Sequence, residues 1–115
     1  MAGALRDYHR IVQELLTDYS QIPYLQENLR DETIFDSISG RYMLVTVGWQ
    51  GRKRINTIVL HIDVHDNQVI IQCNNTDQNI VQELVDAGIP SEVIVYPQAP
   101  HEQATLTAAS DLATA

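Results

Sequence analysis

The hydrophobic pattern opens with a helix. Leu5, Tyr8, Ile11, Val12, Leu15, Leu16 and Tyr19 recur at the i, i+3, i+4, i+7 spacing that gathers apolar side chains on one helical stripe. Asp7, Arg10, Gln13, Glu14 and Asp18 fall between them on the wet side. Pro23 ends the pattern and pushes Ile22 toward extended geometry, so the spacing predicts a helix over residues 4–20. Residues 22–32 show no clean period, and Tyr24, Leu25 and Leu29 are expected to pin this connection to the body.

From Thr33 the period changes to two. Residues 33–38 read as a short strand and Ser39-Gly40 as a two-residue hairpin turn, which sets Ile38 against Arg41 and Phe35 against Leu44. In residues 41–49, Met43, Val45, Val47 and Trp49 alternate with Tyr42, Leu44, Thr46 and Gly48. After the Gln50-Gly51 turn, Ile58, Leu60, Ile62 and Val64 alternate with Val59, His61, Asp63 and His65. Asp66 and Asn67 both tolerate positive φ and suit a tight turn. That turn pairs Val64 with Val69 and Ile62 with Ile71, and brings Gln68, Ile70 and Gln72 beside His65, Asp63 and His61. The sheet therefore has a dry face and a more polar one.

A second helix follows, with Asn74-Asn75-Thr76-Asp77 as capping residues and Ile80, Val81, Leu84 and Val85 as its buried stripe. Gly88 stands where a left-handed C-terminal residue belongs, with Pro90 just beyond. Residues 93–96 suit one more short strand. From Pro97 the chain turns Ala- and Thr-rich with few large apolar residues, too little to bury. The pattern as a whole predicts one α+β domain over residues 1–97 and a flexible tail over 98–115. Its core is an antiparallel, hairpin-connected sheet of about four strands, with two helices on the dry face and a short extra C-terminal strand.

Charge narrows the function classes. Seven Lys and Arg face fifteen Asp and Glu, for a net charge of −8. Non-specific DNA affinity comes from cations on phosphates, so autonomous DNA binding is disfavoured. The Arg52-Lys53-Arg54 cluster beside a turn is the one local exception. A single Cys makes no internal disulfide. There is no apolar run near the ~18–20 residues that span a bilayer, and no basic-then-apolar leader. A cytoplasmic protein is expected.

His61, Asp63 and His65 alternate along one strand and share its polar face. Two imidazoles and a carboxylate are metal-ligand types, but positions 61 and 65 lie ~13 Å apart along a strand. Only His61 and Asp63 could share an ion, with help from other strands. The competing reading, a hydrogen-bonded polar face covered by a partner or a second copy, needs no further ligands and is preferred. Cys73 reads as a small hydrophobe on the dry face. Trp49 reads as core, from its place with Val45 and Val47, with a partner-binding anchor beside the basic turn as the alternative. No GxSxG, phosphate-cradling Gly loop, HExxH or paired-Cys spacing occurs, so neither enzyme activity nor a cofactor is expected.

An ordered set of segments resembles the XisI family, the fdxN-element excision controlling factors. These are Tyr8-His9-Arg10-Ile11, Leu15-Leu16, Tyr19, Ile22-Pro23-Tyr24, Glu32-Thr33-Ile34-Phe35-Asp36, Arg41-Tyr42, Val45, Val47-Gly48-Trp49, His61-Ile62-Asp63, Ile71-Gln72, Glu83-Leu84-Val85 and Ala87-Gly88-Ile89-Pro90. The family usually continues with a Pro, an Arg and a Phe before its end. Pro100 is the candidate for that Pro, and the Arg and Phe have no counterpart. The resemblance implies a factor controlling programmed excision of a DNA element, paired with a XisH-type, nuclease-like protein. It carries over no catalytic residue. The expected partner surface is the polar face and the basic turn, namely His61, Asp63, His65, Arg52 and Arg54, and a homodimer through the polar face is a further expectation. The alternative is a metal-dependent nuclease subunit or small enzyme using His61 and Asp63.

Overall fold

The computed structural model describes residues 2–25 and 28–99, with backbone alone at 2–7. Helix α1 spans Ala2–Ser20 and α2 spans Ile80–Asp86. The strands are β1 (Leu29–Asp36), β2 (Arg41–Gln50), β3 (Lys53–His65), β4 (Gln68–Asn74) and β5 (Ile94–Val95). They form one sheet in the order β1-β2-β3-β4-β5. Consecutive strands pair antiparallel except β5, which lies parallel to β4 after a 3-10 turn at Ser91–Val93. The predicted α+β fold with its extra C-terminal strand is the one observed, with a parallel final pairing. The tail expected over 98–115 lies, from Pro100 on, outside the described residues. Among the described residues no helix is long and apolar enough to cross a membrane.

Both helices pack on one face of the sheet. Tyr8, Val12 and Leu16 from α1 meet Ile80, Leu84 and Ile89 over a floor of Tyr42, Leu44, Leu60, Ile62, Val64, Val69 and Ile71. Full burial of each aliphatic side chain contributes roughly 1.5–3 kcal/mol, so this cluster is the main source of stability. Polar contacts lock its edges. His9 Nδ1 lies 2.5 Å from the Tyr42 hydroxyl, and the Tyr19 hydroxyl donates to Glu83 Oε2 at 2.6 Å. Asn79 caps α2, its side chain accepting from the Gln82 N–H, whereas capping was expected from residues 74–77. Those residues instead build the turn before the helix, where Asn74 Oδ1 accepts from the Thr76 N–H and hydroxyl.

The hairpins show where pattern reading succeeds. Asp66 and Asn67 have φ of 50° and 66°, and the turn pairs Val64 with Val69 and Ile62 with Ile71, as predicted. The first hairpin corrects its expectation. Asp36 pairs with Arg41 and Phe35 with Tyr42, so the loop has four residues, Ser37 to Gly40. The cause is Asp36, whose carboxylate accepts from the Ile38 and Ser39 N–H groups and the Ser39 hydroxyl. That cage closes the turn early and leaves Ile38 98% exposed.

Two bulges redirect β3 and β4. Leu44 pairs with Leu60 but Val45 with Ile58, leaving Val59 as the extra residue. His61 pairs with Cys73 but Ile62 with Ile71, leaving Gln72 extra. An extra residue flips the alternation beyond it. Ile58 therefore leaves the dry row and joins Val45 on the open face. Cys73 is half-buried beside His61 there, not on the dry face. Trp49 also lies on the open face, 48% exposed, because Met43, Val45 and Val47 point away from the helices.

Gly48 marks where the chain before β1 presses on β2. Trp49 donates its N–H to the Asn28 carbonyl at 2.9 Å, and Gly48 has φ 147°. A Cβ at Gly48 would stand 1.8 Å from that carbonyl oxygen, whereas at Gly51 (φ 63°) it would meet nothing within 4 Å. Gly51→Ala should cost about 1 kcal/mol in urea unfolding from backbone strain alone, and Gly48→Ala at least about 3 kcal/mol. Equal costs at the two positions would show that the close approach does not matter.

Candidate functional site

β3 carries the polar cluster because strand alternation places His61, Asp63 and His65 on the open face in one row. Asp63 is 4% exposed, an unusual depth for a carboxylate. Its two oxygens are committed inward. His61 Nε2 donates to Oδ1 at 2.8 Å, and Gln72 Nε2 donates to Oδ2 at 3.1 Å. His65 Nε2 stands 3.7 Å from Oδ2, within ion-pair range when its ring is protonated. Arg41 and Ile70 are the cross-strand neighbours of Asp63.

All three residues expected to form the polar patch are thus together, and both histidines reach the same carboxylate. The ~13 Å expected along the strand overstates their separation, because both rings lean toward Asp63 and stand 2.8 and 3.7 Å from its two oxygens. Among the described residues no group of three or more His, Cys, Asp and Glu side chains converges as a metal site. What the arrangement does chemically is orient one imidazole, that of His61, and the Gln72 amide on a buried carboxyl group, with the His65 ring close by.

Arg52 and Arg54 lie at the other end of β3. Position 54 is seven residues from His61, about 23 Å along a strand. They belong to a separate feature, the tip of the β2–β3 hairpin. Gly51 takes the positive φ of the turn, Arg54 stacks its guanidinium 5.3 Å from the Trp49 ring centroid, and its Nη1 donates to the Gly48 carbonyl at 3.3 Å. Arg52 and Lys53 are exposed. Such a cation–π pair contributes about 0.5–1 kcal/mol when exposed, and it presents Trp49 as a flat surface anchor.

A cleft that the sequence did not reveal opens between the C-terminal end of α1 and the turn before α2. It encloses about 690 Å³ and is lined by Leu15, Asp18, Tyr19, Ile22, Gln78 and Glu83. Burial, and then the hydrogen bond to Glu83, raise the Tyr19 phenol well above its ordinary range, and Asp77 adds its charge in the same sense. Asp18 and Glu83 read from sequence as a solvated helix face. The signal that could have found the cleft is Tyr19, an aromatic hydroxyl on a buried stripe, which needs an acceptor.

The seven Lys and Arg residues all lie at or before Arg54, while residues 55–115 hold eight acids and no Lys or Arg. The cleft, the turn before α2 and α2 itself therefore form an acidic side, and the hairpin tip a small basic one.

Two expectations follow. Asp63→Ala should lower stability by about 2 kcal/mol in urea unfolding, because it strands two donors around a buried site; a gain would mean that the buried charge costs more than its bonds return. The second concerns alkaline pH. Burial raises Tyr24 and Tyr42 as it does Tyr19. Their folded pKa values exceed the unfolded ones, so their contribution is full below pH ~10 and falls as pH rises beyond it. Melting temperature should drop above that pH, and less so in Tyr19→Phe; identical drops in both proteins would remove Tyr19 from the account.

The chain matches the family described as XisI protein over residues 2–110. A XisI-like protein from Anabaena variabilis ATCC 29413 shares 38% identity, covering 84% of this chain and 89% of that one, with a TM-score of 0.77. The fdxN element excision controlling factor XisI from the same organism shares 29% identity, covering 80% and 84%, with a TM-score of 0.67. No protein of curated function matches at a significant level.

Proposed function

This chain belongs to the XisI family, and from that premise we propose that it is a non-enzymatic controlling factor in the excision of a DNA element, acting by binding a XisH-type, nuclease-like protein. The observation that carries the mechanism is the division of charge. A nuclease presents cations where DNA phosphates lie, and this chain offers an acidic side built from Asp18, Asp77, Glu83 and Asp86. Occupying the basic surface of the partner makes the factor a competitor of DNA, and so a regulator of when the partner cuts.

The polar row of His61, Asp63 and His65 supplies a second, stiffer contact on the open face. Trp49 and Arg54 are residue types that dominate interface energetics. In this reading the acidic side sets the encounter rate, and the open face sets which partner stays bound.

Co-purification of the tagged chain with a XisH-type protein tests the proposal. A complex stable at micromolar concentration is expected. It should weaken at least tenfold on raising salt from about 50 to 300 mM, and comparably in Asp77→Lys/Asp86→Lys. No complex at micromolar concentration, or one indifferent to both changes, would overturn the charge mechanism.

A further inference from the structure

β3 has thirteen residues but β4 has seven, and β4 pairs only with Leu60–His65. Asn75 closes that ladder, its side-chain amide donating to the Ile58 carbonyl at 2.9 Å and its backbone N–H to the Val59 carbonyl at 2.9 Å. Among the described residues, the edge of β3 before Ile58, on the side away from β2, has no strand beside it. Because the Ile58 carbonyl points to that side, strand alternation sends the N–H and C=O groups of Asn56 and Arg54 there too. Those of Ile55 and Thr57 face β2, where they pair with Gly48 and Thr46.

The edge of β1 and this edge of β3 differ in chemistry. β1 is guarded along its length by Arg30, Asp31, Glu32 and Asp36, the charge protection usual for an edge. The free part of β3 reads Lys53-Arg54-Ile55-Asn56-Thr57, uncharged from Ile55 on and rich in strand-favouring residues.

We infer that this edge is the seam of a homodimer, in which β3 pairs antiparallel with β3 of a second copy about a two-fold axis at Ile55. That register sets Arg54 opposite Asn56 of the other copy, Lys53 opposite Thr57, and Ile55 opposite itself. The outward groups of 54 and 56 then exchange hydrogen bonds in both directions, and no cation faces a cation. A register centred on Arg54 would set Arg54 against Arg54.

Charge complementarity selects a second copy as the occupant. The same register carries the Arg52-Lys53 tip to Ile58 of the other copy, beside the turn that holds the exposed Asp77. The basic tip of each copy meets the acidic side of the other, and the contact occurs twice. Trp49 and Ile58, both partly exposed on the open face, flank the seam.

Sedimentation equilibrium of the full chain should give twice the 13.0 kDa mass at high micromolar concentration. Asn56→Pro removes an outward N–H without touching the β2–β3 ladder, as proline on an edge permits. It should give the monomer mass with circular dichroism and melting temperature close to those of the parent. Asp77→Arg should weaken the dimer at least tenfold. In a Cys73→Ser background, Ile55→Cys should oxidise readily to a disulfide-linked dimer, because opposed non-hydrogen-bonded pairs bring Cα atoms to about 4.5 Å. Asn56→Cys in that background should not. A parent that stays monomeric, a folded Asn56→Pro that stays dimeric, or Asn56→Cys linking as fast as Ile55→Cys would overturn the assignment.

Discussion

The length of β3 is the constraint to which the other elements are fitted. Its thirteen residues run the whole width of the molecule, but the helices and β4 cover only the half that ends at His65. In that half, Leu60, Ile62 and Val64 are buried under α1 and α2. In the other half, among the described residues, β3 pairs with β2 alone, and its side chains from Lys53 to Ile58 are mostly exposed. The bulge at Val59 sits at the boundary between the halves. It lets both Leu60 and Val59 face the helical core while turning Ile58 to the open face, a change of phase that regular pleating does not allow.

Charge follows the same division. The half before Ile55 carries every Lys and Arg in balance with as many acids, and the remainder carries the entire net charge. Folding gathers Asp77, Glu83 and Asp86 on α2 and the turn before it, and sets the basic tip at the β2–β3 hairpin. A molecule polarised in this way has weak attraction for nucleic acid as a whole and strong preference in how it meets a charged protein surface. The fold thus converts an uneven sequence into an oriented dipole.

How legible this was in the sequence depends on whether the local pattern carried phase. Asp66-Asn67 did, since both residues accept positive φ and flank strict alternation; the observed register agrees from His65 with Gln68 to Ile62 with Ile71 and departs at the bulge, where His61 pairs with Cys73 and not Gln72. The buried stripe of α1 was equally clear. Ile58-Val59-Leu60 carried none, because three successive apolar residues fit either face and conceal a bulge. Trp49 was misplaced for a related reason: Val45 and Val47 are buried but lie outside the helix-covered core cluster, so sharing their face did not put Trp49 in the core. The early closure of the Ser37–Gly40 loop was readable in principle from an Asp three residues before a Ser, a side chain able to cap its own turn. The histidine row was legible as a row. Gln72 was also legible as a neighbour on the same face, but the bulge that pairs His61 with Cys73 instead of Gln72 was not.

The bond between Gln72 and Asp63 explains why a buried carboxylate is worth its desolvation. Asp63 accepts from Gln72, the extra residue of the second bulge, and so fixes the irregularity in β4. Beyond the bulge Cys73 and Asn74 finish the strand, and Asn75 follows, bonding the carbonyls of Ile58 and Val59. Were β4 regular, it could continue alongside β3 and cover residues 53–57. The polar cluster at one end of β3 therefore helps set where pairing stops, and with it the extent of bare edge at the other end. A side chain that resembles part of a catalytic site in the sequence ties β3 to the bulge of β4 in the fold.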